Sequence, residues 1–303
     1  MRRVPFSPPA GDPSWDAWQV RVRKRRDEIV KVYLALNEVG VGHTFSPKIH
    51  EATYRGSREF ILKAFKKKCA YCESLIAPTL GTGDVEHYRP KKAVKEYRYE
   101  PPPDAGEDTL GEVLAPFRDQ PGNSGYFWLA YNIGNLLPSC RACNENEKRS
   151  FFPVKRGRLQ CDELPDPKVE EPMLVNPYLD DPNLHLAFTD PNGFVRPLSL
   201  KGAISIDVYG LNRESLPEAR ARAISTAGLE FKAWYDALYD DDQVALAARE
   251  AVLNRYETGE EPYSAAALTH VGERQEQLLK RGLAMKTRRG IWPSTLKSTI
   301  VIT

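Results

Sequence analysis

Four of the five cysteines form two C-x-x-C pairs, and this spacing suits a metal ion. Cys69 and Cys72 make the first pair, and Cys140 and Cys143 make the second, with 67 residues between the pairs. Two pairs supply four soft ligands, which close a tetrahedral zinc site and leave no position for substrate. A redox motif would need only one pair, and buried free thiols are the other alternative. We therefore predict structural Zn²⁺ at these four residues and an ordinary free thiol at Cys161.

Acidic, imidazole and amide side chains lie between and after the pairs. Glu86 and His87 are adjacent in VEHYRP, Asn135 precedes the second pair, Asn144 directly follows Cys143, and Lys148 comes four residues later. Each residue alone says little, because a lone histidine is more often structural than catalytic and an asparagine beside a cysteine is often a turn former. Their order along the chain is what indicates a site.

That order, C-x-x-C, acid-His, Asn-Leu, C-x-x-C-Asn and then Lys, resembles the HNH endonucleases, whose active site is a ββα-metal fold. The chain is similar in particular to the HNH nuclease subunit of the Septu and retron-associated anti-phage systems. The resemblance covers about residues 69–225 and runs through CAYCE, VEHYRPK, NLLPSCRACN, KRSFFP, LVNPYLDDPNLHLAF and ISIDVYGLNRESL.

The resemblance implies a role for each matching residue. His87 matches the general base, and an imidazole with a pKa near 6.5 is available in its neutral form at cytoplasmic pH. Glu86 and Asn144 match the positions that bind a catalytic ion, and their oxygen donors suit Mg²⁺ or Mn²⁺. Asn135 matches the asparagine that holds the loop carrying the histidine. Candidate phosphate contacts are Arg89, Lys91 and Lys148.

Two positions depart from the common HNH pattern. Many HNH enzymes have Asp where this chain has Glu86, and many have His where Asn144 stands. No histidine occurs between residues 145 and 184, and we expect His185 to be structural.

We predict an α+β protein with a zinc-stabilised ββα-metal HNH nuclease core, flanking helical segments and a short antiparallel β extension. The core is expected over residues 61–160, with His87 on the first strand of a hairpin, Asn135 near the second strand and Asn144 opening the helix. Zinc would replace the apolar core that so small a unit cannot build. A Pro/Gly/Asp-rich stretch, 99–125, is interpreted as an acidic surface insertion.

Helical segments are predicted on both sides of this core. Residues 1–60 begin with Asp12 as a helix cap and continue with an apolar stripe, formed by Trp15, Trp18, Val22, Ile29, Val32 and Leu36. The basic run 21–26 is either a solvated helix face or a phosphate-contacting face. Residues 214–303 are expected to contain a helix with a Ser215–Glu218 capping box, followed by helices over 244–256 and 269–285. The final TIVIT is either a core strand or a partner-docking tail.

Between these segments, residues 161–213 are predicted to form an acidic, proline-rich linker followed by short strands. LHLAF and FVRPL flank the turn sequence Asp190-Pro191-Asn192-Gly193 and should pair as a hairpin. Residues 203–208 alternate between apolar and polar side chains, which predicts a half-buried strand.

Composition excludes several classes of protein. The formal net charge of +2 argues against a protein that coats nucleic acid by bulk charge. The charge is segregated, since residues 61–158 carry 16 Lys and Arg against 12 Asp and Glu, whereas residues 159–182 are acidic. No apolar run reaches the length of a membrane span, and the N-terminus lacks the apolar region of a secretory signal. We therefore expect a cytoplasmic protein without a membrane segment.

The leading functional hypothesis is a metal-dependent endonuclease that hydrolyses phosphodiester bonds in DNA or RNA. The resemblance further implies the effector role in a bacterial anti-phage system, with an ABC-type or related ATPase as partner. The alternative is a catalytically inactive, zinc-stabilised module that binds nucleic acid or protein. Retention of Glu86, His87 and Asn144 together favours the enzyme.

Overall fold

The structure is a computed structural model that describes residues 1–42, 45–76, 83–95, 97, 99, 125–155 and 170–280. Several sequence predictions lie outside the described residues: nearly all of the acidic insertion 99–125, Cys161 with most of the acidic linker, and the C-terminal residues from 281 onward, including TIVIT.

Three helices form the N-terminal part of the chain: α1 (Pro13–Glu38), α2 (Glu51–Arg55) and α3 (Arg58–Ala64). The Asp12 side chain caps α1 by accepting hydrogen bonds from the amides of Ser14 and Trp15, as predicted. Trp15, Trp18 and Val22 are buried as predicted.

The apolar stripe of α1 continues through Tyr33, so the prediction of Val32 was wrong. Val32 is 54% exposed, whereas Tyr33 packs on Phe45 and Phe127. At 100° per residue, position 33 lies within about 20° of Val22 around the helix axis, and position 32 lies about 80° away.

A short antiparallel hairpin lies at the centre of the chain. Strand β1 (Gly83–His87) pairs with β2 (Leu136–Cys140), with Gly83 opposite Cys140 and His87 opposite Leu136. Two 3₁₀ turns, Phe127–Leu129 and Ile133–Asn135, lead into β2, and a π-helix, Ala142–Lys148, follows it. Hairpin and helix thus occur in the predicted order.

A second, smaller hairpin follows a 3₁₀ turn at Pro182–Leu184. Strands β3 (Leu186–Ala187) and β4 (Arg196–Pro197) pair with each other, but each has only two residues and is shorter than predicted. Gly193 supports the predicted turn with a φ of 82° and donates its amide to the Asp190 carbonyl oxygen at 2.9 Å.

The predicted strand over 203–208 is wrong, because these residues belong to helix α4 (Leu200–Val208). The Ser199 side chain caps this helix by accepting from the Gly202 amide. The alternating pattern was misleading at Ser205, because this residue is polar but fully buried. Its hydroxyl donates to the Lys201 carbonyl and accepts from the Val175 amide, so it satisfies itself within the helix and against a neighbouring segment.

The C-terminal helices are α5 (Ser215–Tyr239), α6 (Gln243–Glu257) and α7 (Ser264–Lys280). They confirm the helices predicted here over the described residues. The capping box does not form, because Glu214 is the residue that precedes α5 and its side chain makes no capping hydrogen bond. Glu218 instead accepts from Arg222, one turn further along the helix.

The chain divides into two compact units. The first comprises Met1–Arg2, Ala187–Arg196 and the described residues from Asn212 onward, and its core includes Phe231, Trp234 and Leu253. The second comprises the described residues within Arg3–Leu186 and Pro197–Leu211 and holds the β1–β2 hairpin and all four paired cysteines. Within the described ranges, no helix is long and apolar enough to cross a membrane.

Candidate functional site

The four paired cysteines converge on one point, as the zinc prediction requires. Their sulfur atoms all lie within 4.8 Å of one another, and the Cys72 and Cys140 sulfurs are 3.7 Å apart. A tetrahedral zinc ion with Zn–S bonds of about 2.3 Å separates its ligand sulfurs by about 3.8 Å. Cys69, Cys72 and Cys143 are buried. The cluster therefore fits a structural zinc ion in both ligand type and spacing.

Backbone hydrogen bonds shape the first pair into a tight knuckle. Lys68 bridges to Leu75, and the Cys69 amide donates to the Ser74 carbonyl at 2.9 Å. The Ala70 amide donates to the Pro138 carbonyl of β2 at 2.8 Å, which fixes the knuckle to the strand that ends in Cys140. The thiols thus join three elements: the knuckle, the end of β2 and the π-helix.

The ionisation of the thiols follows from their burial and mutual contacts. Burial raises the pKa of Cys69 well above its ordinary value. Hydrogen bonds from the neighbouring thiols, first of all Cys140, lower the pKa of Cys72. Zinc requires thiolates, so metal binding at this cluster must release protons.

His87 ends β1 and is almost fully buried. Its Nε2 lies 2.9 Å from the Ala130 carbonyl oxygen, and its Nδ1 lies 3.3 Å from Nζ of Lys91. Because a carbonyl can only accept, Nε2 carries the proton and Nδ1 accepts from the lysine. Burial, followed by the charge of Lys91, holds the pKa of His87 well below its usual value, so the ring is neutral. The edge of the Tyr54 ring packs against the imidazole.

Asn135 ties together the two chain segments that flank the histidine. Its Oδ1 accepts from the Arg89 amide at 2.7 Å, and its Nδ2 donates to the carbonyl oxygens of Arg89 and Leu129 at 3.0 and 3.2 Å. These bonds hold the chain just after His87 against the turn that supplies Ala130. The Asn135 amide therefore links the segment after His87 to the turn before β2.

Glu86 forms an internal ion pair with Lys148. Lys148 donates to Glu86 Oε1 at 2.7 Å and to the His87 carbonyl oxygen at 3.0 Å. The side chain of Lys148 has no exposed surface and that of Glu86 is 8% exposed. We predicted Lys148 as a phosphate contact. In the structure its ammonium is buried against Glu86 instead, so in this conformation it cannot reach a phosphate.

Arg89 is likewise turned inward. Its Nε donates to Glu170 at 3.1 Å, Tyr126 donates to the other oxygen of the same carboxylate, and the guanidinium lies over the Phe152 ring. Sequence reasoning missed Glu170, because an acidic, proline-rich stretch suggested a solvated linker. Its burial shows that the core already resumes at residue 170.

Asn144 lies on the π-helix, one turn before Lys148, and lines a cavity of about 350 Å³. The other lining residues come from α2, α3, β1 and the start of the π-helix: Arg55, Arg58, Gly83, Asp84, Arg141 and Glu145. The structure therefore brings Glu86, His87, Lys91 and Lys148 into one hydrogen-bonded group, joins Asn135 to the backbone beside it, and places Asn144 in the neighbouring cavity.

Three contributors to this group were not found from the sequence: Tyr54, Ala130 and Glu170. Tyr54 offered no signal beyond its burial in a helical segment, and Ala130 acts through a backbone carbonyl that any residue could supply. Among the described residues, the four thiols are the only set of three or more His, Cys, Asp or Glu side chains close enough to share a metal ion.

The chain is similar to several known proteins that are named as Septu proteins. It is 35% identical over 167 residues to Septu protein PtuB of Bacillus mycoides (strain KBAB4), covering 54% of this chain and 50% of that protein. It is 28% identical over 168 residues to Septu protein PtuA of the same strain, covering 55% of this chain and 20% of that protein. A PtuB of Bacillus thuringiensis is 25% identical over 153 residues, covering 50% and 40%.

The chain is thus PtuB-like over the matched half, and it spans half or less of the length of these curated relatives. No protein-family model and no solved structure matches it.

Proposed function

We propose that the chain is a metal-dependent HNH endonuclease that hydrolyses phosphodiester bonds in DNA or RNA. We further propose that it acts as the effector of a bacterial anti-phage defence system beside an ATPase partner. Similarity to PtuB and PtuA supports the defence role, and the ordered motifs around the zinc cluster support the nuclease.

The observation that carries the proposal is the hydrogen bonding of His87. The bond from Nε2–H to the Ala130 carbonyl fixes the tautomer and the ring orientation, and it leaves the lone pair on Nδ1. A neutral imidazole with one fixed donor and one basic nitrogen is what a general base needs. Burial and the charge of Lys91 keep the ring in this neutral form.

Lys91 covers the basic nitrogen in this structure. Its ammonium donates to Nδ1 and lies 4.6 Å from the centre of the Tyr54 ring. For Nδ1 to take a proton from water, the ammonium must leave this position. A substrate phosphate is the natural anion to draw it away, which agrees with the role of phosphate contact proposed for Lys91. Burial also lowers the pKa of Lys91, which makes its ammonium group easier to deprotonate.

The residues that would hold the catalytic ion are Glu86 and Asn144. One carboxylate and one amide oxygen suit Mg²⁺ or Mn²⁺, which keep several waters and need no third protein ligand. When bound, such an ion would polarise the scissile phosphate and stabilise the leaving 3′ oxygen. The protein's own part is to take the proton of the attacking water at Nδ1 as the P–O3′ bond breaks.

Burial of the site favours one alternative, an inactive zinc-stabilised module that binds nucleic acid or protein. His87 is only 3% exposed, and Lys148 already neutralises Glu86. Such a module would bind nucleic acid or a partner without cleaving it.

The test compares the parent chain with His87→Ala and a matched control, His185→Ala. His185 directly follows the 3₁₀ turn Pro182–Leu184 and pairs with the Ser199 hydroxyl at 2.7 Å. Each protein is purified with and without the proposed ATPase partner. Both preparations are assayed on plasmid DNA and on RNA with Mg²⁺ or Mn²⁺.

We expect the parent and the His185 variant to cleave at least one substrate. The His87 variant should be inactive with unchanged zinc content. Cleavage that survives His87→Ala refutes the assignment of the base, whereas binding without any cleavage by the parent supports the alternative module.

A further inference from the structure

The cavity beside Asn144 is lined by three arginines from three separate elements. Arg55 ends α2, Arg58 begins α3, and Arg141 directly precedes the π-helix. Two carboxylates, Asp84 and Glu145, complete the charged lining. Three cations therefore face two anions in the lining of one open pocket, and two further carboxylates lie outside that lining, Glu51 at 3.6 Å from Arg55 and Glu59 at 3.9 Å from Arg58.

The carboxylates orient two of the guanidinium groups without exhausting their donors. Asp84 accepts from Arg55 at 2.9 Å, and Glu145 accepts from Arg141 through Nε at 2.7 Å. Each guanidinium has five N–H donors in a planar fork, so the outer edge of Arg141 remains available, and this side chain is 75% exposed.

Arg58 is held more loosely than its neighbours. It lies 3.4 Å from the Gly83 carbonyl oxygen and 3.9 Å from the Glu59 carboxylate, both long for hydrogen bonds. A half-buried guanidinium with long contacts gains from a stronger acceptor. A tetrahedral oxyanion is the ligand that Arg recognises best with paired donors.

The cavity reaches from Asn144, a proposed ligand of the catalytic ion, to the end of β1 that is farther from His87. Gly83 and Asp84 lie at one end of β1, and His87 lies at the other. Asp84 and His87 are three residues apart, which is about 10 Å along an extended strand. Arg58 lies beside Gly83, at the end of the strand farther from His87, and is therefore placed for a backbone phosphate next to the scissile one.

The geometry points to a binding site for a flanking backbone phosphate of the nucleic-acid substrate, formed by Arg58 and Arg141 with Arg55 beside them. This inference rests on the proposed function. It supplies the substrate contact that Arg89 and Lys148, both turned inward, do not make in this structure.

The test measures binding by the double variant Arg58→Gln, Arg141→Gln in a His87→Ala background, which leaves the oligonucleotide intact. Arg222→Gln in the same background is the control, since Arg222 is exposed on α5 and pairs only along its own helix with Glu218. DNA and RNA oligonucleotides of one sequence are titrated by fluorescence anisotropy over a series of salt concentrations. Zinc content and circular dichroism verify the fold of each variant.

Loss of one phosphate contact should lower the slope of log K against log salt by about 0.9 and weaken binding about eightfold at ~0.1 M salt. With His87 restored, the same pair of substitutions should raise KM and leave kcat within about twofold. The DNA and RNA arms show which backbone the site accepts.

Equal affinity and equal salt slope in the double variant and in the control overturn this inference and leave the proposed function standing. A His87→Ala parent that binds neither DNA nor RNA, together with an inactive native chain, overturns both.

Discussion

Replacing Lys148 with methionine removes the cation that donates a hydrogen bond to the buried Glu86 carboxylate. The substitution keeps most of the side-chain volume but deletes the bond to Glu86 Oε1 and the bond to the His87 carbonyl. The carboxylate would remain 8% exposed and without its ion-pair partner. Breaking a buried pair in this way costs about 3–5 kcal/mol of unfolding free energy.

A double-mutant cycle separates that penalty from the loss of packing. Glu86→Gln combined with Lys148→Met leaves no charge at this pair, so we expect it to cost less than Lys148→Met alone, with a coupling of about 1–3 kcal/mol. Unfolding is followed in urea by near-ultraviolet circular dichroism with zinc held constant.

Lys232→Met is the matched control, because Lys232 pairs with Asp236 on the exposed surface of α5 at 2.6 Å. An exposed pair of this kind is worth about 0.5 kcal/mol or less. The reasoning is refuted if Lys148→Met costs no more than the control, or if the two substitutions at the pair are simply additive.

Two further predictions concern the hairpin. Cys140→Ser should abolish stoichiometric zinc binding, measured by plasma mass spectrometry, and should cost several kcal/mol because metal binding supplies folding free energy to this cluster; full zinc occupancy in this variant would contradict the four-thiolate site. Asn135→Ala should cost about 3 kcal/mol in urea unfolding, since it deletes three buried hydrogen bonds and leaves their backbone partners unpaired. A cost under about 1 kcal/mol would show that the loop holds itself without the amide.

The sequence was sufficient for local features that carry their own signal. The C-x-x-C spacing predicted the thiol cluster, the Asp12 cap predicted the start of α1, the periodicity predicted the C-terminal helices, and the turn residues around Gly193 predicted a reversal of the chain. Each of these depends on residues close together in sequence, or on a residue type with a single strong preference.

Features that depend on tertiary contacts were not predictable in the same way. Ser205 reads as exposed until the Val175 amide that it satisfies is known, and Glu170 reads as solvated until Arg89 and Tyr126 are placed beside it. Lys148 is the clearest case. A lysine in a basic stretch suggests a surface contact, whereas its burial follows only from the packing of the π-helix against β1.

The wide separation of the two cysteine pairs has a consequence for synthesis. A nascent chain that has released Cys69 and Cys72 from the ribosome offers only half of a tetrahedral site, and β1 has no strand to pair with. Both deficits end together when residues 136–143 emerge, because the same segment brings β2 and the last two thiols. Closure of the four-thiol cluster and formation of the hairpin are therefore one event, and a nascent chain cannot assemble the site around His87 before that point in translation.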